Sequence, residues 1–325
     1  AFRDCPCHGV APRGVAFSDG HCRNDWTKQT VERGKQMHKS GNAKTSIKGI
    51  RVFLWSILLL TCIILLNFGP VIAARSGGTL RFGAENEFAG FEVLKSTGRL
   101  AINGSIAANT IMETLFRKDA KGNLISVLGL SADQSPDGKL WTIKLRKGVT
   151  FHDGTPFNAD AVVHHWGRIL DPANKFRGRA ALAAIVSVDK IDDYTVGFRL
   201  KHPWLLFMSS ISGTRALGNL IPSPRAVEQG TQNRQPIGTG PFQFKEWKSG
   251  DRFVVVKNPH YWQKNKPDLD AIVFRPLPDH QTRYASLQSG QLDIIWMDRG
   301  NIIKKARNDA VLEVLVGEDN GAEIF

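Results

Sequence analysis

Cysteine is missing from the chain beyond residue 75. The four cysteines, Cys5, Cys7, Cys22 and Cys62, all precede that point. A fold built by the later residues therefore rests on core packing, with no disulfide to restrain its unfolded state. Cys5, Cys7, His8, His21 and Cys22 cluster in sequence, but a Cys-Pro-Cys step is too tight for a CxxC zinc knuckle, and no metal site is expected. Long apolar runs are also lacking. The longest, Val52 to Leu66, is broken by Ser56 and Thr61 and falls short of the roughly 20 residues that span a bilayer. Basic clusters are absent as well. The formal charge of +13 is spread thinly, with 10 basic and 4 acidic side chains in residues 1–74 and 33 and 26 in the rest. Without a basic run or a recognition motif, no nucleic-acid partner is expected. The chain has no GxSxG elbow, no HExxH pair and no GK[ST] ending, which leaves hydrolase, zincin and phosphate-loop chemistry without their residues.

What remains is ordinary globular material, 42% apolar and 22% charged, long enough for one large or two ordinary domains. The apolar run has the layout of an export signal. Lys44, Lys48 and Arg51 precede it, Asn67-Phe68-Gly69-Pro70 ends it, and Val71-Ile72-Ala73-Ala74 offers small residues for cleavage after Ala73. Leu59-Leu60-Thr61 before Cys62 makes a poor lipobox, so a lipid anchor is not expected. Residues 1–43 are expected to be an upstream extension that never folds, and residues 44–73 the signal peptide.

Beyond residue 76 the pattern alternates between two periods. Gly77 to Gly83 reads as a strand with Leu80 and Phe82 on one face. Ile102, Ile106, Ile111 and Leu115 recur at helical spacing. Ser135-Pro136-Asp137-Gly138 reads as a hairpin turn, followed by a strand that points Trp141, Ile143 and Leu145 inward. Asn158 is placed to cap a helix whose stripe is Val162, Trp166, Ile169 and Leu170, and which Asp171-Pro172 stops. Val196, Phe198 and Leu200 form a further strand, as do Phe253 to Val256 and Leu292 to Trp296. Asp279 caps a helix carrying Tyr284 and Leu287, closed by Gly290. Hairpins mixed with crossovers predict a mixed α/β (α+β) body.

Three blocks carry a family resemblance. The first runs from Lys139 through Trp141-Thr142-Ile143-Lys144-Leu145 to Phe151-His152-Asp153-Gly154-Thr155-Pro156-Phe157 and Asp160. The second is Pro236-Ile237-Gly238-Thr239-Gly240-Pro241-Phe242 with Asn258-Pro259-His260-Tyr261-Trp262. The third is Leu287-Gln288-Ser289-Gly290-Gln291-Leu292-Asp293-Ile294-Ile295. In this order and spacing they resemble family 5 of the solute-binding proteins of ABC importers, which serve dipeptides, oligopeptides and nickel. The resemblance implies a periplasmic-binding-protein-like two-lobe fold closing on a ligand. Residues 74–297 are then expected as the first lobe and 298–325 as the start of the second. Because such proteins are longer than this chain, which ends at Ile324-Phe325 in an apparent strand, it is expected to be a fragment whose half-cleft binds weakly alone.

The implied function is capture of short peptides in the periplasm and delivery to ABC permease subunits in the inner membrane, by a monomer without cofactor, metal or catalysis. Nickel complexes, glutathione, opines or oligosaccharides are alternative ligands on the same scaffold, and a secreted hydrolase using His152 or Asp153 is the remote alternative. The turn residues around His152 and Asp153 favour a structural role, and His164 and His165 point about 100° apart on their helix, which is poor for a shared metal. The loop after the first strand is the expected ligand-facing stretch, because ligands gather at the carboxyl ends of strands in α/β folds. Its candidates are Glu85, Asn86, Glu87, Phe88, Phe91, Ser96 and Thr97, with Phe88 and Phe91 equally able to pack on the core. Gly238 and Thr239 are minor candidates, since the resemblance places their segment near the cleft. In the family the strongest peptide anchors come largely from the second lobe.

Overall fold

A computed structural model of the chain describes residues 76–94, 102–119, 121–213, 217–316 and 322–324. The expected extension 1–43, the signal peptide 44–73, and Ser96 and Thr97 lie outside the described residues.

Strand β1 (Thr79–Ala84) forms where Leu80 and Phe82 alternate. Helix α1 (Ile102–Ile111) follows but stops one turn before the spacing suggested. At its end the Gly240 N–H donates to the Ile111 carbonyl at 2.8 Å, taking up an acceptor that the helix leaves open. Leu115 is instead buried in the approach to a short hairpin, β2 (Phe116–Lys118) and β3 (Leu124–Ser126).

The next four strands make a separate sheet. Strands β4 (Gly129–Gln134) and β5 (Leu140–Leu145) pair antiparallel across the expected turn, where the Gly138 N–H donates to the Ser135 carbonyl at 2.8 Å. Gly138 adopts a φ of +70°, which suits glycine. Helix α2 (Ala159–Leu170) starts as its sequence dictates, with the Asn158 side chain accepting from the Ala161 N–H at 3.2 Å and Asp160 in the first turn. Strands β6 (Ile185–Asp192) and β7 (Thr195–Leu200) complete the sheet in the order β4-β5-β7-β6. Its inner face, with Ile143 and Phe198, packs against Trp166 of α2; the Trp166 and Phe198 rings meet edge to face at 5.2 Å.

Two short helices, α3 (Phe207–Ile211) and α4 (Pro224–Glu228), lead back to the larger sheet. It is built from β8 (Phe242–Lys248), β9 (Arg252–Lys257) and β10 (Ala271–Pro276), then, after helix α5 (His280–Gln288), from β11 (Ile294–Met297). Helix α6 (Gly300–Arg307) precedes β12 (Val314–Val316) and β13 (Ala322–Ile324). Among the described residues these strands form seven neighbours in the order β12-β13-β11-β1-β10-β9-β8. β1 lies parallel to both β10 and β11, and the outer pairings are antiparallel. The chain beyond residue 297 thus continues along the same sheet.

The two-residue period divides this sheet between two cores. Ile294 and Trp296 of β11 join Phe82, Phe274 and Phe253 in the main cluster, which continues into the four-stranded sheet. Ile295 and Met297 face the other way, into a smaller cluster with Tyr284 and Leu287 of α5 and Ile302 and Ala306 of α6. Covering both faces explains why Val255 and Ile295 are completely buried.

At the centre of the main cluster Phe253 has no exposed surface and contacts the rings of Phe88, Phe91, Phe244, Trp247 and Phe274. Phe253→Ala leaves a cavity that these rings cannot all fill. It is expected to lower unfolding stability by roughly 3–5 kcal/mol, measured by urea denaturation of the full chain.

Candidate functional site

Three parallel strands, β10, β1 and β11, end side by side. Ala84 pairs with Pro276 and Gly83 with Ile295, so the chain leaves all three at one edge of the sheet. Glu85 and Asn86 follow β1, Leu277 and Pro278 follow β10, and Asp298 and Arg299 follow β11. This edge is held by one buried guanidinium. Arg283 of α5 donates to the carbonyls of Leu277, Pro278 (3.3 Å) and Trp296 (3.2 Å), binding the exits of β10 and β11 together. Burial lowers the Arg283 pKa, while Glu85, Asp298 and Asp279 pull it back up. α5 and the loop after it lie close to β1: a Cβ on Gly83 would come within 2.7 Å of the Leu292 side chain, 2.9 Å of that of Ile295 and 3.1 Å of that of Arg283, so glycine lets these side chains pack on the strand.

The candidate residues of the loop after β1 part company here. Glu85 is half-buried and Asn86 exposed, and neither side chain makes a hydrogen bond among the described residues. Glu87 is exposed but engaged, accepting from the Trp247 Nε1–H at 2.9 Å and from the Gly250 N–H, which ties the loop to the β8–β9 turn. Phe88 and Phe91 are 5% and 1% exposed, with ring centroids 5.2 and 4.8 Å from that of Phe253. Their surface is consumed by the core, so of the two roles open to them they take the packing one.

Gly238 and Thr239 lie elsewhere. They precede β8, whose first residue Phe242 pairs with Lys257; Val256 pairs with Ala271, and Ala271 with Thr79. The segment therefore sits off the amino end of β1, at the opposite end of the strands from Glu85 and Asn86. Here the chain is threaded tightly past α1. A Cβ on Gly238 would lie 2.3 Å from the Ile111 carbonyl oxygen, and one on Gly240 2.7 Å from it. Thr239 is 1% exposed and its hydroxyl donates to Glu113 at 2.8 Å.

Glu113 is the centre of this second assembly, which the sequence did not announce. Its carboxylate also accepts from the Tyr261 hydroxyl at 2.7 Å and the Trp262 Nε1–H at 3.0 Å, and Arg146 stacks on the Trp262 ring at 4.0 Å. Burial raises the Glu113 pKa, against the pull of Trp262, Tyr261, Thr239 and Arg146. The nearest signal was the Tyr261-Trp262 pair, whose polar edges need a partner when buried.

His152 and Asp153 serve the same junction. His152 Nε2 lies 3.0 Å from the Gly240 carbonyl, and the Gly238 N–H points at Nδ1 at 3.4 Å, a pairing that needs the neutral Nε2–H tautomer. Burial lowers its pKa, although Gly240 and Asp153 act the other way. Asp153 accepts from Ser223 and from the hydroxyl of Thr155, both at 2.5 Å. With its oxygens committed and His152 aimed at the backbone, the pair has no free base to offer a substrate. His164 faces Glu228 at 3.8 Å, whereas His165 is buried against the Gly218 carbonyl at 2.8 Å, so they share no metal position. Among the described residues no group of three metal-ligating side chains converges.

With this geometry in place, the comparisons with known proteins identify the fold. The sequence pattern described as bacterial extracellular solute-binding proteins, family 5 Middle, matches residues 123–324. The chain belongs to this family. Among relatives of the family 5 chain, the glutathione-binding protein GsiB of Pectobacterium atrosepticum is 37% identical over 186 residues, covering 57% of this chain and 36% of its own. Among solved structures, the periplasmic binding protein AgaA of A. tumefaciens R10 with agropinic acid superposes with a TM-score of 0.67 at 28% identity, over 73% of this chain and 48% of AgaA. The oligopeptide-binding protein AppA of Bacillus subtilis, with a nonapeptide, gives 0.66 at 28% identity, over 74% and 48%. The family 5 chain spans about a third to a half of the length of these proteins. Its mixed α/β body is that of the two-lobe periplasmic binding proteins, and these relatives are named for solutes they bind rather than for reactions.

Two measurements follow. Gly238→Ala forces a methyl group against the Ile111 carbonyl and is expected to cost about 1–3 kcal/mol in urea unfolding, the range for overpacking. His165 gives a pH signature. Burial lowers its pKa to about 4, offset in part by the Gly218 carbonyl. Between pH 6.5 and 4 the unfolded chain binds a proton here that the folded chain does not. The stability it contributes is complete above pH 6.5 and falls by about 3 kcal/mol as the pH drops to 4. Unfolding curves across that range should show this loss, and His165→Gln should flatten it.

Proposed function

We propose that this chain belongs to the extracytoplasmic solute-binding component of an ABC importer, which captures short peptides in the periplasm and hands them to permease subunits in the inner membrane. Family 5 membership carries the reading, and a fold shared with a nonapeptide-bound binding protein supports the ligand class. On this reading residues 44–73 direct export, residues 74–297 make the first lobe and 298–325 lead to the second. The ligand meets the edge at the carboxyl ends of β1, β10 and β11, where Glu85 and Asn86 have uncommitted polar groups; Ser96 and Thr97 belong to the same contact. Main-chain hydrogen bonds to an extended peptide tolerate varied side chains. Gly238 and Thr239 act at a distance, holding the amino end of the sheet in shape.

Within this ligand class, glutathione is favoured by a specific observation, the 37% identity to a glutathione-binding protein. As a γ-linked tripeptide it presents two carboxylates and one amine.

Calorimetric titration of the full chain with reduced glutathione, dipeptides and agropinic acid tests the reading. Saturable binding of glutathione or a dipeptide is expected, with the ligand recovered intact. Glu85→Ala or Asn86→Ala should weaken it by roughly tenfold, the equivalent of a polar contact of about 1.4 kcal/mol. Cleaved peptide in the recovered solution, or binding indifferent to both variants, would overturn the proposal.

A further inference from the structure

At the amino end of β1 and β10, away from Glu85 and Asn86, the described residues line an open cleft of about 400 Å³, with Arg117 and Gln263 exposed at its rim. One wall is the β2–β3 hairpin with Arg117, Ile125 and Val127. The other is the loop from Tyr261 to Leu269, closed by Phe242 at the start of β8. The volume lies within the range of small-molecule sites, and the lining is about evenly polar and apolar.

The polar groups can be sorted by whether they are already spent. The Glu113 carboxylate faces the cavity but receives Thr239, Tyr261 and Trp262, and Arg146 over Trp262 offsets its charge. Lys266 is held by Asp268 at 2.7 Å. Arg117 is different: it has no ion-pair or hydrogen-bond partner among the described residues, although its charge reaches the Tyr261 hydroxyl. The side-chain amide of Gln263 is likewise unbonded among them. The cavity therefore offers one free guanidinium and one free amide beside an apolar surface made by Ile125, Val127, Phe242 and Leu269.

We propose that this cavity is a second ligand site, separate from the peptide edge, which takes a small monocarboxylic acid with a single branched or aromatic apolar group. The carboxylate pairs with Arg117, whose planar fork matches it in two parallel hydrogen bonds, and Gln263 donates a third. The apolar group lies against Val127, Phe242 and Leu269. A cation is disfavoured because the one unpaired charge is positive, and a bare inorganic anion leaves the apolar walls wet. The inference does not rest on the peptide-import reading, since its residues lie at the other end of the strands.

N-acetyl-L-leucine is a suitable probe, titrated into the full chain by saturation-transfer NMR. Saturable binding is expected, weakened at least tenfold by Arg117→Ala and by Ile125→Trp, which fills the space from a partly exposed position. N-acetyl-L-leucinamide, which lacks the charge, and acetate, which lacks the apolar group, should each bind at least tenfold more weakly. Arg117→Lys should recover part of the affinity, and thermal melts should show all three variants folded. The proposal fails if no saturable binding occurs up to the solubility limit, if the amide binds as well as the acid, or if Arg117→Ala leaves binding unchanged. Glu85→Ala is expected to have no effect, and a loss of binding there would transfer the probe to the peptide edge and overturn the second site.

Discussion

The buried carboxylate of Glu113 is the interaction on which the junction of this structure depends. Removing a carboxylate from water costs several kcal/mol unless donors replace the water. Here three donors come from two distant parts of the chain, Thr239 from one and the adjacent Tyr261 and Trp262 from the other, and a compensating cation, Arg146, comes from the end of the four-stranded sheet. None of these segments satisfies the charge unless the others are in place. The arrangement therefore specifies how the strand-linking loops cross α1, and His152 adds a second set of ties to the same loop through Gly238 and Gly240. Polar satisfaction and close backbone approach act at one point, which accounts for the concentration of glycine, threonine and aromatic residues there.

The parallel trio shows a different balance. Its two faces are covered by separate clusters, so the strands have no freedom to slip in register without moving every side chain to the wrong side. Arg283 then fixes the exits of two of them with one side chain. A buried guanidinium is expensive to desolvate, and carbonyl acceptors together with the acidic groups Glu85, Asp298 and Asp279 compensate it. The edge that meets solvent is thus rigid in its backbone while its outermost side chains remain free.

Much of the fold was legible where a local rule acts alone. Asn158 and Asp279 cap their helices as their residue types require, and Ser135 to Gly138 makes its turn without outside help. Legibility ended where partners are remote. The helical spacing that took in Leu115 could not foresee that a loop some 130 residues later would take over the Ile111 carbonyl. β6 was missed because its alternation is diluted by polar residues, β10 because Ala271-Ile272-Val273-Phe274 is a short apolar run without alternation, and β2 and β3 because three-residue strands carry no period. In the candidate site, sequence alone left Phe88 and Phe91 of the loop after β1 between ligand and core. Only the position of Phe253 resolves them. Glu113 and Arg283 gave no local sign, since their roles are defined entirely by what surrounds them.

The segment from Glu85 to Phe91 holds two kinds of residue in close succession. Glu87, Phe88 and Phe91 are anchored to the turn and to the core, so altering them disturbs the molecule as a whole. Asn86 carries no such duty, and Glu85 shares only in offsetting the charge of the buried Arg283. On the proposed reading, ligand contact and core support fall to adjacent letters of the chain, and Asn86 is the one open to change at little cost to the rest. On that reading the scaffold could alter what it holds at such a position while its architecture stays constant, because the position is no part of the structural vocabulary.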